Sequence, residues 1–210
     1  MEDVLDLYCR PADPTEARLC FDERPCQLLD DVLAPLALQP GRAARHDYEY
    51  ARHGTAVILL AYDLDRGQRY LQVRARRTKA DYAQFMEWLV TTHYPTTARI
   101  HLVQDNLNTH TYGAFYEHLP CERARHLKNL LQFHFTPKHA SWLNMAELEF
   151  AALVTQCLDR RIATQALLEQ EALAWQHQRN QLGTRIHWSF TTAAARDKLA
   201  RHYHAVYPNN

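Results

Sequence analysis

The chain has 210 residues, 47% of them apolar and 23% charged, and its 24 basic and 24 acidic side chains cancel. That length supports one domain with a sizeable core, and a neutral total argues against strong nonspecific DNA binding by this chain alone. No apolar run long enough to span a membrane occurs, and the acidic start MEDVLDLYCRPADPTE lacks the basic head and apolar run of a signal peptide, so the chain reads as cytoplasmic.

Residues 1–31 hold nine acids against three bases, which leaves 21 bases and 15 acids for the rest. ARLCFDER (17–24) alternates apolar and polar residues and reads as a strand ending near Asp22. Pro25, Pro35, Pro40 and Gly41 then make residues 25–54 mostly loop. TAVILLAYDL (55–64) and QRYLQVRA (68–75) flank Asp65–Gly67 as a hairpin. Thr78 and Asp81 form a capping-box pattern ahead of Tyr82, Phe85, Met86 and Leu89, an amphipathic helix that Pro95 closes. RIHLVQDNLNTH (99–110) runs apolar as a strand buried on both faces, then stops at Asp105. TYGAFYEHL and ERARHLKNL read as short helices, LQFHFTP (131–137) as a strand, and residues 144–161, 164–182 and 191–206 as helices with IHWSF before the last.

Scattered along these elements are Cys9, Cys20, Cys26, Cys121 and Cys157, with no CxxC pair. They suggest neither a disulfide framework nor a zinc ribbon and read as small reduced hydrophobes. Arginines gather in DRGQRYLQVRARRTK, RARHLK and DRR. These read as solvated faces, with a polyanion site as the lesser alternative, for which Arg74, Arg76 and Arg77 are the candidate DNA contacts. The element order is mixed α/β, one sheet with helices on its faces, and it fits the RNase H-like pattern of a mixed five-stranded sheet with a C-terminal helical extension from about residue 162 to 210.

Asp22 and Asp105 both end strands, so neighbouring strands would bring the two carboxylates together. The third acid comes from TPKHASWLNMAELEFAALVTQCLDRR, where helical spacing separates two glutamates. Glu149 shares a stripe with Gln156 and Arg160 and is expected to face solvent. Glu147 shares one with Phe150, Ala151, Val154 and Leu158 and is expected to face inward. A core-facing acid is costly unless its charge is compensated, and a metal shared with two aspartates would do so. The alternative at Glu147 is a capping box with Asn144. Hard oxygen donors without cysteine or paired histidine favour magnesium or manganese, and two such ions can activate a hydroxyl and stabilise the leaving oxygen of a phosphodiester.

CFDERPCQL, VQDNLNTH and FTPKHASWLNMAELEF, as an ordered set, resemble the DDE transposases of bacterial insertion sequences related to mariner elements, the IS-six-thirty type. The likeness extends to GRAARHDYEYARHGTA and HWSFTTAAARDKLARHY. Motif by motif, the family's three catalytic acids and metal ligands fall on Asp22, Asp105 and Glu147, the same three that the spacing selects. The resemblance implies an RNase H-like fold, two Mg2+ or Mn2+ ions, cleavage and strand transfer at element ends, DNA as partner, and room for a homodimer. The stretch between Asp105 and Glu147 is longer than the family usually has, and the surplus falls near LPCERARHLKN. Family members normally begin with helix-turn-helix modules, whereas Met1 stands just upstream of the first strand. The chain is therefore expected to be a single catalytic domain over residues 1–210, with DNA recognition supplied by a separate module or upstream reading frame.

The accessory residues stay open between two roles. Asn106 either holds the metal-site loop or is a plain turn residue. His110 either contacts the scissile phosphate or a site water, or closes the turn. Lys138 and His139 either touch DNA phosphate or are ordinary loop polarity. Trp142 reads as core rather than as a base-stacking platform. Glu23, by the two-residue strand period, points away from Asp22 and outside the metal site. Two rivals to a transposase domain are another RNase H-like nuclease such as a junction resolvase, which the SWLNMAE context opposes, and a domesticated or decayed copy that binds DNA or a partner without cutting.

Overall fold

A computed structural model describes residues 1–45 and 47–201. Five strands form one sheet: β1 (Glu16–Asp31), β2 (Tyr50–Asp63), β3 (Gln68–Arg74), β4 (Arg99–Gln104) and β5 (Leu131–Phe135), in spatial order β3-β2-β1-β4-β5. β1–β2–β3 is an antiparallel meander, and β4 and β5 add in parallel, with Cys20 of β1 opposite Val103 of β4. The helices are α1 (Glu2–Cys9), α2 (Lys79–His93), α3 (Tyr112–His118), α4 (Cys121–Leu130), α5 (Met145–Leu153), α6 (Gln165–Gln181) and α7 (Thr192–Lys198). This is the RNase H-like arrangement anticipated from the element order. None of the described helices is long and apolar enough to cross a membrane.

Strand alternation sorts the core into two layers. Leu19 and Phe21 of β1 pack with Tyr82, Phe85, Met86 and Leu89 of α2. Their neighbours Cys20 and Leu28 turn to the other face, against α1, α5 and α6. Asp22 therefore emerges on the α5 side of the sheet and Glu23 on the α2 side. The capping box at the start of α2 forms as expected, with Asp81 N–H donating to Thr78 Oγ1 at 3.2 Å and Thr78 N–H to Asp81 Oδ2 at 2.9 Å.

Three element expectations need correction. The loop expected over 25–54 is largely strand, because β1 runs to Asp31 and pairs with β2 from Tyr50, through a bulge between Gln27 and Leu29. Past Cys20 the strand has lost β4 and is an edge, where Pro25 forfeits no ladder on its open side. The first strand, expected to end near Asp22, continues past it to Asp31, and ahead of it α1 buries Val4, Leu5 and Leu7 and sends the Tyr8 hydroxyl to Leu143 O at 2.7 Å. The long helix expected over 144–161 breaks into α5 and a π-helical turn, Val154–Leu158. Of the final helix, the part beyond residue 201 lies outside the described residues.

α6 also closes an exposed sheet edge. Gln176 Oε1 accepts from Leu71 N–H at 2.8 Å, while Asn180 accepts from Arg69 N–H and donates to Arg69 O, both at 2.9 Å. Side-chain amides thus satisfy backbone groups of β3 that would otherwise template another strand. The C-terminal helices are an integral part of the sheet's packing.

Candidate active site

Asp105 directly follows β4, Asp22 lies within β1 two residues past its last pairing with β4, and α5 crosses β1 beside Asp22. Asn144 fixes that crossing. Its carboxamide is buried, accepts from Ala146 N–H at 3.2 Å as the N-cap of α5, and donates to Phe21 O at 2.8 Å. The same nitrogen stands 3.4 Å from Asp22 Oδ2. The reciprocal half of a capping box is absent, because the Asn144 N–H is taken by Ser141 O at 2.7 Å. Glu147 is therefore free of the cap. Asn144→Ala is expected to lower stability by about 1–2 kcal/mol, since it removes a buried cap and the tie to β1. An unchanged urea midpoint would show that α5 is held by other contacts.

The site is electrostatically polarised. Burial, then the charges of Glu147, Glu23 and Asp105, push the Asp22 carboxyl up to about 7, against a hydrogen bond from Glu23 N–H that lowers it. Asp105 goes the other way, held down by its hydrogen bond with His110 and by Arg77 nearby. The two carboxyls thus shift in opposite directions, Asp22 up and Asp105 down. Glu147 acts on Asp22 as the strongest of the three repelling acids, ahead of Glu23 and Asp105.

The donor set is oxygen only, with a surplus of negative charge, and it fits a hard divalent cation. Among the described residues, no three or more His, Cys, Asp or Glu side chains are gathered tightly enough to grip an ion.

The structure relocates several sequence-assigned residues. His110 is only 1% exposed, so contact with a scissile phosphate is ruled out; instead its Nδ1 lies 2.6 Å from Asp105 Oδ1 and its Nε2 lies 2.7 Å from Glu23 Oε2. Burial alone would push the His110 imidazole down, but Asp105 and Glu23 outweigh it and hold it at about 9. Asn106 is exposed on the turn. Arg76, Arg77, Lys138 and His139 are exposed too, and Arg77 Nη1 approaches Glu23 to 3.8 Å. Arg74 is half-buried and held by Gln72. Lys138 and His139 lie on the loop that Thr136 anchors to Gln104 O at 2.9 Å, one residue before Asp105, and His139 takes a left-handed φ of 64°. Trp142, expected in the core, is 45% exposed and stacks on Trp188 with ring centroids 6.4 Å apart.

Glu149 overturns its expectation most fully. It was placed outward, yet it is completely buried and clamped by Arg69 (2.7 Å to each oxygen) and Arg179 (Nε 2.7 Å). The inward stripe of α5 is Ala146, Glu149, Phe150 and Leu153, and Glu147 sits half-buried on its flank. The stripe that grouped Glu149 with Gln156 and Arg160 assumed unbroken 3.6-residue periodicity, which the π turn at Val154 interrupts. Glu23, correctly placed on the far face, nonetheless reaches Asp105 through His110. No local pattern announced that contact, nor the pairing of Glu149 with arginines 80 and 30 residues away in sequence.

A five-stranded mixed sheet in the order β3-β2-β1-β4-β5, flanked by helices, defines an RNase H-like domain. The chain belongs to the DDE superfamily endonucleases, whose family model matches residues 17–169. Similar solved structures include the Mos1 mariner paired-end complex with Mn (15% identity, TM-score 0.56) and the Mos1 transposase paired-end complex with left transposon end (15%, 0.57); each match covers 87% of this chain and 55% of that one. The Mos1 strand transfer complex is similar at 14% identity and TM-score 0.53, over 87% of this chain and 56% of that one. At such identity the likeness establishes the fold, and this chain spans little more than half the length of those proteins. No curated protein is significantly similar to it in sequence.

Proposed function

We propose that this chain is the catalytic domain of a DNA transposase, cleaving and transferring phosphodiester strands with divalent metal. The observation that carries the reading is that Glu147 and Asp105 both bear on Asp22, whose carboxyl is pushed up to about 7 by burial first and then by the neighbouring acids. Asp22, Asp105 and Glu147 would hold two Mg2+ or Mn2+ ions, which would supply Lewis-acid activation of the phosphodiester. Arg77, whose charge bears on Asp105, would meet a backbone phosphate together with the exposed Arg76, Lys138 and His139, and Arg74 would contribute from the end of β3. Asn106 would shape the turn behind Asp105.

The finer assignments belong to the same reading. Residues 1–210 form one catalytic domain of the mariner-related bacterial insertion-sequence type, acting in the cytoplasm on element ends and target DNA. A helix-turn-helix module would supply sequence recognition, and two copies would pair to hold two ends.

Manganese titration and plasmid nicking test it. Wild type is expected to bind Mn2+ and nick supercoiled DNA only with Mn2+ or Mg2+, whereas Asp105→Asn loses both. Equal Mn2+ binding and equal nicking in the variant would remove Asp105 from the site and sink the reading. DNA binding by the isolated chain should be weak and fall steeply between about 50 and 200 mM salt, since the formally neutral chain would bind through cations that act by counterion release.

A further inference from the structure

We propose that Glu23 and His110 are positioning residues for the metal site: Glu23 fixes the His110 ring, and His110 fixes the Asp105 carboxylate that faces the cation. The inference rests on the functional reading above and adds Glu23, which lies on the opposite face of β1 from Asp22, to the machinery.

The geometry leaves the His110 ring little freedom. Both nitrogens end on carboxylates, 2.6 Å from Asp105 and 2.7 Å from Glu23. Phe21 packs edge-on to the ring at 5.3 Å, and Tyr82 lies tilted against it at 4.9 Å. Its carbonyl accepts from Gln104 Nε2 at 3.3 Å, and Gln104 is itself held by the Tyr82 hydroxyl at 2.8 Å. A neutral buried imidazole offers one donor and one acceptor. Here two acids are bridged, and both can be served as acceptors only when both ring nitrogens carry protons.

Glu23 has little other purpose. Its side chain is 3% exposed, and neither buried oxygen makes a well-aligned hydrogen bond; its compensation is ionic, from His110 and, at 3.8 Å, from Arg77. A buried carboxylate is expensive without such charge. Its evident service is to hold the imidazolium whose other nitrogen takes one Asp105 oxygen and so orients the other. Outer partners of this kind typically change metal affinity 10–100-fold.

The test is Mn2+ affinity, measured by calorimetry with metal-free thermal melts alongside, because simple electrostatics and positioning predict opposite results. Removing a cation beside the site should strengthen Mn2+ binding on charge grounds alone. Positioning predicts that His110→Ala weakens it about 10–100-fold, with His110→Asn, which can still donate to Asp105, recovering part. Glu23→Ala should weaken binding, while Glu23→Gln, which keeps an acceptor for Nε2–H but loses the charge, should remain close to wild type. In the His110→Ala background, Glu23→Ala should add nothing. Tighter binding in His110→Ala, or Glu23→Gln as weak as Glu23→Ala, would overturn the proposal. If His110→Ala fails to fold, the Glu23 pair and His110→Asn decide it. Asp105-dependent Mn2+ binding that ignores all these variants would refute the positioning role alone, whereas wild type without Asp105-dependent binding would refute the functional reading with it.

Discussion

Glu149→Ala is expected to destabilise the fold by about 3–5 kcal/mol, because it strands a buried arginine. Arg69 and Glu149 are both fully buried, and the guanidinium binds the carboxylate through two 2.7 Å contacts. The loss does not measure the worth of the pair, since two well-packed apolar residues of the same volume can be equally stable. It measures an uncompensated charge left in the space between β3, α5 and α6. Arg179 softens the effect only in part, because it too loses its acceptor. Burial pushes the Glu149 carboxyl up, but Arg69 and Arg179 outweigh it and the net position lies below the ordinary 4.5. A depressed carboxyl means that the unfolded chain binds more protons as pH falls through and below 4.5. The contribution is therefore present above that pH and lost on acidification. Urea unfolding of wild type, Glu149→Ala and Glu149→Gln at neutral and acid pH checks both points. A variant as stable as wild type at pH 7 would mean that water reaches Arg69 and that the pair is not sealed.

What the sequence disclosed and what it hid divide along the range of the interactions. α2 was legible to its first residue because its signal, Thr78 with Asp81 followed by Tyr82, Phe85 and Leu89, lies within a few turns of chain. Asp105 was legible because a buried strand that stops on a carboxylate is a local feature; Asp22 was singled out by a strand end that the structure moves on to Asp31, and the fold sets the two strands side by side. The extension of β1 through Pro25 was not, because the proline reads as a breaker until the absence of a second neighbour beyond Cys20 is known. Glu147 was singled out by a stripe that did not hold: the inward face of α5 includes Glu149, and only the distant Arg69 and Arg179 make that tolerable. His110 carried a local signal, its place in the turn after Asp105, yet its role depends on Glu23 from the far face of another strand. Periodicity describes what an element buries. It does not say which buried charge has found its partner.

Under the proposed reaction, Glu147→Gln is expected to lower Mn2+-dependent nicking by about 10²–10⁴-fold, the equivalent of the several kcal/mol that a metal contributes to a phosphoryl transition state. The fold should not suffer. Glu147 is half-buried, makes no cap with Asn144, and is the strongest of the acids repelling Asp22, so neutralising it relieves a repulsion in the metal-free protein. Its metal-free melting temperature should equal or slightly exceed that of wild type, and the Asp22 carboxyl should move back down toward the ordinary 3.8. The pairing with Glu149 makes the result interpretable, because the two glutamates are two residues apart on one helix and fail by different routes. A Glu147 variant dead in catalysis with an intact melt, beside a Glu149 variant that melts early, separates metal ligand from internal ion pair. Nicking by Glu147→Gln at the wild-type rate would leave the site with two aspartates only, and the third ligand would have to be sought elsewhere on the sheet's acidic rim.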